Sequence, residues 1–66
     1  MKGIIVHGRS DCRPIFINIS TIKAVEKNNN GLEYVEIYLG GLTFTVAEDF
    51  DTIMQKIKEA ENESED

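Results

Sequence analysis

The stretch from Leu32 to Ile57 constrains this chain most, because two alternating runs joined by Gly40-Gly41 lead directly into an amphipathic segment. Val35, Ile37 and Leu39 alternate with Tyr34, Glu36 and Tyr38, and Leu42, Phe44 and Val46 alternate with Thr43 and Thr45. A period of two belongs to a strand with one face on a core. The glycine pair supplies the positive φ that a two-residue hairpin of type I′ or II′ demands. Turn and alternation specify one register, since a slip of one residue would turn the aliphatic set into water.

After Val46 the period lengthens, and Phe50, Ile53, Met54, Ile57 and Ala60 fall on one helical stripe. Asp49 is the expected N-cap, with Glu48 and Asp51 favourably placed at the positive end of the helix dipole and Lys56 and Lys58 toward the other end. Upstream, Gly3 to His7 reads as a first strand, Gly8 to Pro14 as a polar loop and Pro14 to Ile19 as a second strand, with Pro14 suited to a strand's first position. Asn18, Ser20 and Thr21 form a short turn. A third strand runs from Ile22 to Lys27, and Asn28 to Gly31 closes a hairpin into Tyr34 to Leu39.

The expected class is therefore α+β, mainly β: an antiparallel meander of about five short strands followed by one C-terminal amphipathic helix. Residues 1–60 make a single domain and 61–66 an acidic, disordered tail.

At 66 residues, a lone core is marginal without a disulfide, a metal or a partner subunit. Cys12 is the only cysteine, so no intrachain disulfide can form and no zinc spacing exists. Self-association remains as the source of further buried surface, and a homo-oligomer is expected. The apolar run Ile4 to Val6 is too short for a signal peptide or a membrane span, which points to a soluble cytoplasmic protein without membrane contact.

The net charge of −5 is unevenly spread: residues 1–60 hold all seven Lys and Arg with eight acids, and the last six residues hold the other four acids. The body is nearly neutral and offers no basic patch for neutralising phosphates, so nucleic acid is a disfavoured partner.

With the aliphatic faces of the hairpin turned to the helix, Tyr34 and Tyr38 point to the other side of the sheet, with Ile5, Phe16 and Val25 as candidates to join them. An exposed apolar patch of this kind marks an interface, and open strand edges invite pairing between chains. These five residues are the expected protein interface. The alternative is a sheet curled into a small barrel that consumes them internally.

Chemical candidates are sparse. His7 stands alone, Cys12 lies between Arg9 and Arg13, and Ser10, Asp11 and His7 combine triad residue types without any indication of triad geometry. Glu48, Asp49 and Asp51 lack the spacing of a calcium loop and serve more simply as helix N-terminal acids. No catalytic residues, no cofactor site and no metal site are expected. The reading is a small non-catalytic interaction module. A second reading is an oligomeric nucleic-acid-associated regulator of bacterial or phage origin, with Arg9, Arg13, Lys23 and Lys27 gathered on one side.

The run Pro14-Ile15-Phe16-Ile17-Asn18, then Ile22, Val25-Glu26, Val35 to Leu39, Gly41, Val46 and Glu48 before a closing helix, resembles the small FlbD-type proteins of flagellar and swarming motility. Asp49 stands where that pattern carries a serine. The resemblance implies a short, mainly β unit and a motility-related role, and it carries no catalytic residues. The hairpin and helix also look faintly like the opening of LytTR-type DNA-binding domains, without the basic remainder those domains use.

Overall fold

A computed structural model describes residues 2–30 and 32–62. Five strands and one helix follow in order: β1 (Gly3–His7), β2 (Pro14–Asn18), a single 3₁₀ turn (Ile19–Thr21), β3 (Ala24–Asn30), β4 (Leu32–Tyr38), β5 (Thr43–Val46) and α1 (Phe50–Asn62). The class is α+β, mainly β. The strands divide between two antiparallel sheets, β1-β2 and β3-β4-β5. An isolated antiparallel bridge between Gly8 and Val46 ties them, with Arg9 N–H donating to the Thr45 carbonyl at 3.1 Å and Ala47 N–H to the His7 carbonyl at 2.8 Å.

The glycine hairpin forms as its sequence requires. Leu39 N–H donates to the Leu42 carbonyl at 2.8 Å, and Gly40 alone of the pair takes a positive φ, 93°, which glycine adopts without steric cost. Between β2 and β3, Asn18 Oδ1 accepts from Ser20 N–H at 3.1 Å while the Thr21 hydroxyl donates to the Asn18 carbonyl at 2.7 Å. This local bonding turns the chain out of β2 and accounts for the break between the sheets.

Ile4, Val6 and Ile17 from one sheet, Val35, Ile37 and Val46 from the other, and Ile53 and Ala60 from α1 make the buried core. The helix begins where the carboxylate predicts, with Asp49 Oδ1 accepting from Thr52 N–H at 2.8 Å. Its far end is met by Lys2, whose Nζ donates to the Glu61 carbonyl at 3.2 Å, a cation at the negative end of the dipole.

Four local expectations change. Asn28 to Asn30 continue β3, paired with Tyr34 to Leu32, and do not form a loop; Gly31 lies outside the described residues. Leu42 is 54% exposed because it sits at the hairpin tip, beyond the core. Met54 is 40% exposed on the flank of a helix whose buried line is Ile53 and Ala60. Glu61 and Asn62, read as tail, are the last residues of α1, and the rest of the acidic segment lies outside the described residues.

Candidate functional site

Among the five expected interface residues, Ile5 and Phe16 stand out. Ile4 and Val6 point inward, so period two sends Ile5 outward. The β1-β2 register sets Phe16 directly opposite, leaving the two side chains 51% and 56% exposed beside each other. Gly3 shapes this pair from below. Any Cβ there would collide with the Phe16 ring and would lie 2.8 Å from the Ile17 carbonyl, so the ring lies across the bare glycine backbone. Cross-strand packing of an aromatic on an aliphatic side chain holds the pair in place while leaving its outer surface to solvent.

Tyr34 and Tyr38 do lie on the outer face of β4, opposite to the buried Val35 and Ile37. Their surroundings are polar. Glu26 and Glu36 oppose each other across β3 and β4, an unfavourable like-charge pair that needs donors. The Tyr38 hydroxyl supplies one, donating to Glu26 Oε1 at 2.6 Å with Glu36 Oε1 at 3.1 Å as the second acceptor, and Asn28 Nδ2 donates to Glu36 Oε1 at 3.0 Å. Those hydrogen bonds to Glu26 first and Glu36 second hold the Tyr38 phenol well above its ordinary pKa. Tyr34 carries the Arg9 guanidinium over its ring, 5.7 Å from the centroid. This face is a bonded network, where the sequence pointed to an apolar patch.

Val25 corrects the expectation outright. It pairs with Ile37 across β3 and β4 and so shares the core face, packed against the buried cluster. The apolar surface is thus narrower than the sequence suggested: Ile5 and Phe16 on the β1-β2 sheet, with the tyrosines on the other.

His7 has a structural partner. Its backbone N–H donates to Glu48 Oε1 at 3.0 Å and its Nδ1 lies 2.7 Å from Glu48 Oε2, fastening the end of β1 to the segment before α1. Partial burial acts to raise the Glu48 carboxyl, but the hydrogen bonds from the His7 side chain and backbone outweigh it and hold the carboxyl below its ordinary value. Asp11 Oδ1 accepts from Arg13 N–H at 3.2 Å, a local turn bond. Cys12 is exposed at a φ of 59°, a position set by the tight loop between β1 and β2. Among the described residues, no group of three or more His, Cys, Asp or Glu is placed to hold a metal ion. Lys27 Nζ lies 3.1 Å from Glu33 Oε2, and with Arg9 on Tyr34 two of the four cations of the nucleic-acid reading face protein groups.

No family model, curated protein or solved structure matches this chain. The candidate site therefore stands on its own geometry. Its most informative part is the outer edge of β2, which the sequence indicates only as one of the open strand edges and does not single out. Gly8 N–H donates to the Arg13 carbonyl and Ile19 N–H to the Lys2 carbonyl, both at 3.0 Å, one at each end of the β1-β2 ladder. Antiparallel pairs alternate between hydrogen-bonded and non-hydrogen-bonded. Val6–Ile15 and Ile4–Ile17 are thus the bonded pairs, and Pro14, Phe16 and Asn18 aim their backbone groups away from β1. The donor that Pro14 lacks costs this ladder nothing.

Proposed function

We propose that the chain is a small non-catalytic interaction module that self-associates, with Ile5 and Phe16 at the contact. One observation carries the reading: two large apolar side chains, directly opposite each other on β1 and β2 and each more than half exposed, beside a β2 edge that is unpaired among the described residues. The size of the core supports it, because the eight buried residues among those described, from two small sheets and a helix, leave a small domain near the margin of independent stability. A further protein partner would use the same surface or the acidic, tyrosine-bearing face of β3 and β4. No helix among the described residues is long and apolar enough to cross a membrane. The likeness to FlbD-type proteins adds motility as the process in which to seek that partner.

The test compares two substitutions by sedimentation velocity. Phe16→Lys, outside the core, shifts the chain to the monomer while its circular dichroism stays native. Met54→Lys, an equally drastic change at an exposed helical site, leaves the assembly intact. An unchanged sedimentation coefficient for Phe16→Lys overturns the contact.

A further inference from the structure

We infer that the occupant of the β2 edge is the β2 edge of a second copy, paired antiparallel about a two-fold axis through Phe16; this rests on the self-association proposed above and specifies its geometry. Among the described residues β2 pairs with β1 alone, so its other side is unpartnered. The groups on that side follow from the register: the Pro14 carbonyl, the Phe16 N–H and carbonyl, and the Asn18 N–H and carbonyl point outward.

Antiparallel pairing of β2 with itself, centred on Phe16, sets Phe16 opposite Phe16 and Pro14 opposite Asn18. Each Phe16 then exchanges both backbone bonds with the Phe16 of the second copy. Each Asn18 N–H meets a Pro14 carbonyl. The remaining position decides the match, because the Asn18 carbonyl would face Pro14, which has no N–H to offer. That carbonyl already accepts from the Thr21 hydroxyl at 2.7 Å. The missing donor and the satisfied acceptor thus fall opposite each other, and no backbone group is orphaned on pairing. A proline on a free edge ordinarily discourages strand addition. Here it excludes registers that would set a needy carbonyl against it, and this one is spared.

Side chains agree with the backbone. Phe16 opposite Phe16 lies on the outer face, so pairing aligns Ile5, Phe16, Phe16 and Ile5 in one continuous apolar row across the axis. Ile15 of each copy comes opposite Ile17 of the other on the inner side. An isologous contact of this kind closes on itself and gives a dimer, because each copy's β2 edge is consumed by the other's.

Amide hydrogen exchange, followed residue by residue over a range of protein concentrations, tests the register. The Phe16 and Asn18 amides should slow at least tenfold as the chain passes from dilute monomer to assembly, while those of Ile15 and Ile17, already bonded to β1, show no selective change. If the chain assembles and the Phe16 and Asn18 amides still exchange at their dilute rate, the edge pairing is wrong and the self-association reading stands. A chain that stays monomeric at every concentration overturns both.

Discussion

A side chain at Gly40 would be held at φ 93°, whereas one at Gly41 enters open space without a positive φ. Gly40→Val should cost about 1–2 kcal/mol, and Gly41→Ala should stay within about 0.5 kcal/mol of the parent. Urea unfolding midpoints at constant slope measure both. Glu48 makes a second residue-scale prediction. Its folded carboxyl lies below the ordinary value of 4.5, so the unfolded chain binds the proton more readily. The stabilisation is therefore present above pH 4.5 and is lost as pH falls through the lower, folded value. Glu48→Gln should remove this part of the acid dependence, and an identical urea midpoint profile from pH 6 to 3 in both proteins would contradict it. Asp49 titrates in the same direction through its hydrogen bonds with Thr52, so the variant keeps a residual acid transition.

At the scale of elements, legibility followed locality. The glycine hairpin, the Asp49 cap and the period-two strands were readable because each is decided within a few residues. Val25 was not, because Ala24-Val25-Glu26-Lys27 has no clean alternation, and its face is fixed by pairing with Ile37 twelve residues on. The asparagine run misled for a related reason: its residues favour turns in isolation, yet pairing with β4 and the bond from Asn28 to Glu36 keep it extended. The polar setting of Tyr38 was hidden because it needs the cross-strand opposition of Glu26 and Glu36. Ile5 and Phe16 turn outward because they alternate with the buried Ile4, Val6 and Ile17, whereas the open edge beside them follows only from the ladder. Helix docking rests chiefly on Ile53, which is fully buried between the sheets and α1. Ile53→Ala should cost about 2–5 kcal/mol, a large fraction of what a small domain possesses. Differential scanning calorimetry would show the transition lowered steeply or lost.

For the whole molecule, the arrangement separates two surfaces by chemistry. The β3-β4 face ties up its carboxylates and tyrosine in hydrogen bonds, whereas β2 offers apolar side chains beside unpaired backbone. Association through β2 would cover the latter and leave the acidic face free for another protein. Self-association, as proposed, lets this chain complete its structure with a second copy of itself. Light scattering across a dilution series decides it: the expected mass is near twice the 7.4 kDa of one chain, falling toward 7.4 kDa on dilution. A mass of 7.4 kDa at every concentration would contradict it.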